Sequence, residues 1–225
     1  IRRSLLWMKS FVEGLRALNY YAAYCMDLRN AETDEQKKAT ANGFLEFLTP
    51  ICKAYSSDMA FEVCENAIQV FGGYGFCGDY PVEQFARDCK IASIYEGANG
   101  IQAIDLLGRK LSMAKGAFLN YIVGEIEKTI KEAKADSSLV KYAELVNKAK
   151  DHFVDTAKYL LGLMQGMKVF EAFLSATPFL ELAGDTILGW MHLWQLTIAQ
   201  KKLNDIFAAK NAKDDEAKRA LVNDD

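Results

Sequence analysis

Histidine is scarce in this chain, with only His152 and His192 in 225 residues. Carboxylate di-iron bundles need inward Glu-x-x-His pairs. Three residues before His152 stands Ala149, and before His192 stands Gly189, so that metal centre is excluded and no metal ligand set is expected. No Ser-His-Asp arrangement can be argued either, and both histidines read as surface or packing residues. Proline is nearly as rare: Pro50, Pro81 and Pro178 are the full set, which favours long helices. The cysteines, Cys25, Cys52, Cys64, Cys77 and Cys89, contain no C-x-x-C pair. An odd number without metal spacing reads as free thiols, mostly buried as small apolar side chains, in a reducing, cytoplasmic compartment. No apolar run reaches the roughly 20 residues of a membrane span, and no signal-peptide pattern opens the chain. The net charge is −3, with Lys and Arg interspersed; lacking a basic block, the chain has no footprint for nucleic acid. It begins at Ile1 rather than Met, so a piece of a longer polypeptide is expected.

Helical periodicity fills most of the rest. Leu5, Met8, Val12, Leu15, Leu18 and Ala22 form one stripe in a helix to about Arg29. Thr33 is a candidate N-cap with Gln36 three residues on. A second helix runs to about Phe71, with Pro50 inside it as a kink or a fresh start. Pro81 to about Ile91 predicts a third. Gly97 to about Lys115 predicts a fourth, with Ile101, Ile104, Leu107 and Leu111 inward. Beyond it, Ile122, Ile126, Ile130 and Ala133 mark one helix, and Leu145, Ala149, Phe153, Ala157, Leu160 and Met164 the next. A short helix ends at Pro178, Phe179 to about Phe207 follows with Trp190 and Trp194, and the tail from about Lys210 is expected to fray. The fold class is all-α: an antiparallel helical bundle over residues 1–115, then a helical extension over 116–225.

Gln69 to Gln102 interrupts this pattern with a dense run of glycines. Gly73, Gly75 and Gly78 match G-x-G-x-x-G, but the dinucleotide fingerprint needs a strand before it and a helix at its last glycine. Here a helix precedes it and Asp79-Tyr80-Pro81 follows. The better reading is a helix C-cap at Gly72 or Gly73, with Pro81 opening the next helix. Amides freed in such a turn can meet a phosphate.

Glu96 stands between apolar Ile94-Tyr95 and the flexible Gly97-Ala98-Asn99-Gly100. Apolar shielding raises a carboxylate toward neutrality, and glycines allow close approach by a ligand. Those are the needs of a general base, although perturbed carboxylates also occur structurally. Arg87-Asp88 in the third helix has two readings, a catalytic pair and a structural ion pair that anchors the loop, and the structural one is favoured.

The run Q-V-F-G-G-Y-G-F…Y-P-V-E-Q-F-A-R-D-C-K-I…I-Y-E-G resembles the C-terminal helical domain of the acyl-CoA dehydrogenases. The segment A-T-P-F-L-E-L-A-G-D is similar to the C-terminal extension of a bacterial subgroup that includes 3-methylmercaptopropionyl-CoA dehydrogenase. The resemblance implies α,β-desaturation of an acyl-CoA thioester, with Glu96 removing the α-proton and FAD accepting hydride. It implies that Gln69, Val70, Phe71, Gly72 and Gly73 contact the FAD of a neighbouring subunit. Ala98, Asn99 and Gly100 become implied flavin contacts, and Tyr95 and Gly97 substrate contacts. Ala98 stands where the family usually has Thr, which removes one hydroxyl donor. The implied oxyanion donors are the backbone N–H of Glu96 and a flavin ribityl hydroxyl. The implied partners are an electron-transferring flavoprotein and further copies of the chain. A non-catalytic helical oligomerisation module is the alternative.

Overall fold

A computed structural model describes residues 1–212 and 214–223. Ten α-helices are present among the described residues, and no strand. Helix α1 (Arg2–Ala31) buries Gly14, Leu15, Leu18, Ala22 and Cys25. The stripe expected from periodicity is covered only in its second half, for Leu5 and Val12 are exposed. Periodicity marks an apolar stripe, but it does not say how far along that stripe a partner extends.

Helix α2 (Glu35–Phe71) is capped by Asp34, not Thr33. The Asp34 carboxylate accepts from the N–H groups of Gln36 and Lys37 at 2.9 and 3.1 Å. A short anionic side chain at the positive end of a helix gains from both hydrogen bonding and the dipole. Pro50 lies inside α2 without ending it. Phe47, Leu48, Ile51, Ala54 and Tyr55 of α2 are all but fully buried.

The short helices α3 (Gly73–Phe76) and α4 (Val82–Lys90) follow, then a 3₁₀ turn over Ile91–Ser93. The single helix expected over residues 97–115 is broken into α5 (Asn99–Asp105), a π-turn over Leu106–Lys110 and a 3₁₀ turn over Met113–Gly116. Ala103, Leu106, Leu107 and Leu111 are buried, while Ile101 and Ile104 are exposed, against expectation. A π-turn shifts the register of the inward face, which a 3.6-residue pattern cannot anticipate. The buried Lys110 pairs with Glu46 of α2 and lies 4.0 Å from Asp105.

The extension comprises α6 (Ala117–Ala133), α7 (Val140–Gln165), α8 (Val169–Leu174), α9 (Ala176–Ala209) and α10 (Asp215–Asn223). Helix α7 turns Ala143, Val146, Lys150, Phe153, Ala157 and Leu160 inward. Leu145 is exposed and Ala149 half-buried instead of inward. The difference is that Lys150 occupies the inner face, its charge met by Glu127 and Asp151 at 3.0 Å each. Pro178 sits in the first turn of α9 rather than ending the previous helix, a position where its missing N–H is harmless. The tail expected to fray carries α10, with Lys218 over the Phe207 ring; residues 213, 224 and 225 lie outside the described ones.

Helix α9 joins the two parts, touching α1, α2, α5, α6 and α7. At Gly184 a Cβ would fall 2.3 Å from the Tyr55 ring, so this crossing needs glycine. Tyr55 also donates its hydroxyl to Asp185. At Gly14 a Cβ would strike Leu188 and His192, which makes His192 a packing residue. Trp190, 1 % exposed, donates Nε1–H to Thr129 Oγ1 at 2.8 Å and meets the edge of Tyr21. One apolar core runs through Leu18, Phe47, Ile126, Phe153, Phe179 and Trp190. The acidic residues Asp58, Glu62 and Glu65 of α2 face Glu181 and Asp185 of α9, and partial burial together with these neighbours pushes the Glu62 carboxyl up.

Trp190→Ala should cost about 3–5 kcal/mol, the range for truncating a buried aromatic. Thermal unfolding measures this, and binding to anionic vesicles should stay absent in both proteins. For Glu62 the folded-state pKa lies above the unfolded one, so its penalty is absent below about pH 4 and grows as pH rises through the folded pKa. Glu62→Gln should therefore raise Tm at pH 7, and the gain should vanish near pH 4.

Candidate functional site

The loop carrying Glu96 is shaped by backbone conformation. Past the 3₁₀ turn, the N–H groups of Ile94 and Tyr95 both reach Ile91 O, at 2.9 and 3.1 Å. The chain then reverses through two left-handed residues, Glu96 at φ +53° and Gly97 at φ +88°. Glycine adopts this freely; for a glutamate it costs roughly 1–3 kcal/mol. Such strain persists only where the surroundings over-determine it, and it concentrates at functional positions.

Asn99 supplies much of that determination. Its Oδ1 accepts from Lys53 Nζ at 2.7 Å. Its Nδ2 donates to Ser57 Oγ at 2.9 Å and Ala54 O at 3.1 Å. The start of α5 is thereby fastened to the middle of α2, three residues after Glu96. Gln102 Nε2 reaches back to the Glu96 carbonyl at 3.5 Å. Lys53, Ser57 and Gln102 escaped the sequence reading. The available signal was Lys53 and Ser57 four apart, on one face of a helix.

Glu96 opens into a cleft of about 560 Å³ between α1 and α2, lined also by Leu15, Arg16, Lys53, Val63 and Tyr95. Ile94 and Tyr95 are 58 % and 51 % exposed, so the apolar shielding expected of them is not supplied within this chain. Gly97, Ala98 and Gly100 are exposed beside Glu96, with Asn99 half-buried.

The segment Gln69 to Gly73 lies apart from this cleft. Gln69, Val70 and Phe71 form the last turn of α2. Gly72 is the C-cap, at φ +64° and ψ −142°, a region open to glycine alone. A Cβ at Gly72 or Gly73 would meet nothing within 4 Å, so open space faces these backbones. Phe71, Tyr74 and Phe76 are exposed around them, and Tyr80 packs against Phe71 and Tyr74. Arg87 does not pair with Asp88: it binds Glu83 at 2.6 Å, while Asp88 accepts from Gln84. Residues four apart share a helix face and adjacent ones do not, so the expected pair could not close within α4. Among the described residues no group of metal-ligating side chains converges, and no helix is long and apolar enough to cross a membrane.

Residues 1–111 match the family model for the acyl-CoA dehydrogenase C-terminal domain. Residues 122–223 match the model described as acetyl-CoA dehydrogenase C-terminal like. The chain belongs to the acyl-CoA dehydrogenase family. It is 35% identical over 209 residues to a butyryl-CoA dehydrogenase of Syntrophomonas wolfei, covering 92% of this chain and 33% of that protein. It is 32% identical to the broad-specificity linear acyl-CoA dehydrogenase FadE5 of Mycobacterium tuberculosis, over 91% of this chain and 34% of that one. The 3-methylmercaptopropionyl-CoA dehydrogenase of Ruegeria pomeroyi is 35% identical over 84% of this chain and 32% of its own length. The chain thus spans about a third of the curated relatives it matches. The Caenorhabditis elegans ACDH-11 crystal structure, in complex with C11-CoA, shares the fold with a TM-score of 0.68 at 20% identity, over 87% of this chain and 32% of that one.

Asn99→Ala in this acyl-CoA dehydrogenase domain leaves Lys53 and Ser57 without their shared partner. Ser57 keeps its own bond to the Ala54 carbonyl, so a loss of about 1–2 kcal/mol is expected, from the removed hydrogen bonds and the charged one to Lys53 above all. Faster amide exchange should appear across residues 96–103 and not in α7.

Proposed function

We propose that this chain is the C-terminal third of a flavin-dependent acyl-CoA dehydrogenase that desaturates an acyl-CoA thioester between its α and β carbons. The observation that carries the reading is Glu96, held at φ +53° at the mouth of the α1–α2 cleft. A left-handed glutamate fastened in place by Asn99 is a carboxylate positioned at a cost.

In this reading Glu96 takes the α-proton onto its carboxylate. The thioester α-proton is weakly acidic, so the carbonyl oxygen needs preorganised donors as negative charge grows there, and the Glu96 backbone N–H is one. Gly97 lets the thioester come close to the loop, and Tyr95 lines its approach. FAD, when bound, supplies the hydride acceptor. The residues present fit it, since Gly72 and Gly73 leave open space beside their backbones. Gln69, Val70, Phe71, Gly72 and Gly73 would hold the flavin of a neighbouring subunit, and Ala98, Asn99 and Gly100 the flavin beside Glu96. Asn99 spends its carboxamide on Lys53, Ser57 and Ala54, which leaves its backbone for that contact. The exposure of Ile94, Tyr95, Ile101 and Ile104 supports a site completed by other parts of the polypeptide and by further copies. Electrons would pass to an electron-transferring flavoprotein in the cytoplasm.

The same exposed apolar surface favours a second reading, a helical assembly module without catalysis. Glu96→Gln in the full-length protein separates the two. Turnover should drop at least about 10²-fold, as expected for loss of a general base, with flavin retained within a few-fold. Normal turnover in this variant would place the base elsewhere. A colourless wild-type oligomer would favour the module.

A further inference from the structure

Cys64 of α2 and Cys89 of α4 bring their sulfurs within 3.8 Å of each other. Both thiols are free and half-buried. A disulfide needs a sulfur separation of about 2.05 Å, so closure asks each sulfur to move by roughly an ångström. The surroundings give this contact a consequence. Cys64 lines the same cleft as Tyr95 and Glu96. Cys89 stands at the end of α4, one residue before Lys90 and the turn that leads to Glu96. Helix α4 has nine residues and buries only Val82 and Ala86. So few buried contacts leave an element near the low end of local stability, where one covalent tie changes its motion.

We propose that Cys64 and Cys89 are a modification site that closes to a reversible disulfide, clamping α4 and the Glu96 segment onto α2. The oxidant is a small disulfide of the glutathione class. The Cys89 thiolate attacks one sulfur of it, breaking that S–S bond and releasing one small thiol. Cys64 then loses its proton to solvent and attacks Cys89 Sγ, expelling the second small thiol. Two protein thiols are oxidised and one small disulfide is reduced to two thiols. Burial and the adjacent Cys89 push the Cys64 thiol up to about 11. Cys64 is therefore a poor first nucleophile near neutrality, and Cys89 is the entry point. Closure should quicken as pH rises, because its second step needs the Cys64 thiolate.

The full-length protein is incubated with oxidised glutathione, alkylated without reduction, digested and mapped by mass spectrometry. A Cys64–Cys89 linked peptide, two hydrogens lighter than its parts and lost on adding dithiothreitol, is the expected product. Constraining the unfolded chain should raise Tm by roughly 2–4 °C in the oxidised full-length protein. Cys64→Ala and Cys89→Ala should each abolish both signals, with Cys64→Ala trapping the glutathione adduct on Cys89 and Cys89→Ala leaving no adduct on either residue. A glutathione adduct that persists on Cys89 without closing, or a link to another cysteine, overturns the pairing. A linked peptide with unchanged Tm and unchanged amide exchange across residues 91–97 overturns the clamp. These readouts are mass, stability and exchange, so they fail independently of the role proposed for Glu96.

Discussion

The carboxamide of Asn99 ties the Glu96 loop to α2, and the geometry of the candidate site depends on that tie. Asn99 offers one acceptor and two donors, and Lys53, Ser57 and Ala54 O engage them. Both anchoring side chains come from a single helix, one turn apart. The tie therefore fixes the start of α5 in position and in rotation. With that end held, the chain between Ser93 and Asn99 has few ways to close. The left-handed pair at Glu96 and Gly97 is the solution adopted. The strain at Glu96 is held in place by hydrogen bonds and helix packing outside the loop itself.

Those bonds are only as firm as α2, and α2 is braced by the extension. Tyr55 lies on α2 between Lys53 and Ser57, and it is the residue against which Gly184 packs. Its hydroxyl binds Asp185 on the same turn of α9. Further along α9, Trp190 reaches Thr129 of α6 and the Tyr21 edge on α1. At the other end of α5, the Gly108 position in the π-turn lies against Phe173 of α8. The Glu96 loop is thus flanked by elements that the extension contacts, although none of the extension's described residues lines the cleft. The extension thus braces α2 and the π-turn through the one core that runs through both parts.

The all-α class, the helix order and the position of the irregular segment were legible in the sequence. Periodicity over long segments is a strong signal, and the glycine run from Gly72 to Gly78 ends the long α2, leaving only the four-residue α3 within it. The left-handed turn after Ile94-Tyr95 was legible only as flexibility at Gly97; Glu96 itself gave no sign of a positive φ. Inward faces failed where a local event changed the register, as at the π-turn beside Ile101 and Ile104. They failed again where a charged residue took a core position, as Lys150 does. The Asn99 tie was hidden because its partners are 46 and 42 residues away in sequence. Long-range polar pairing leaves no periodic trace.

The substitution at Ala98 bears on the same geometry. A threonine there would bring a hydroxyl into the turn between the base and α5. Thr and Ser hydroxyls at an N-cap accept from N–H groups of the first helical turn and steady the helix start. In this chain Ala98 is exposed and caps α5 with no side-chain bond, so the N-terminal turn is fastened chiefly through Asn99, with Gln102 reaching back to the Glu96 carbonyl. The work that a cap would share falls on the Lys53–Asn99–Ser57 set. Within the first turn the Ile101 N–H is held by the Ala98 carbonyl at 2.8 Å, and no side chain of residue 98 caps the turn. What alanine removes here is therefore a cap for the helix start, and the rigidity of this turn depends the more on the polar ties made by Asn99 and Gln102.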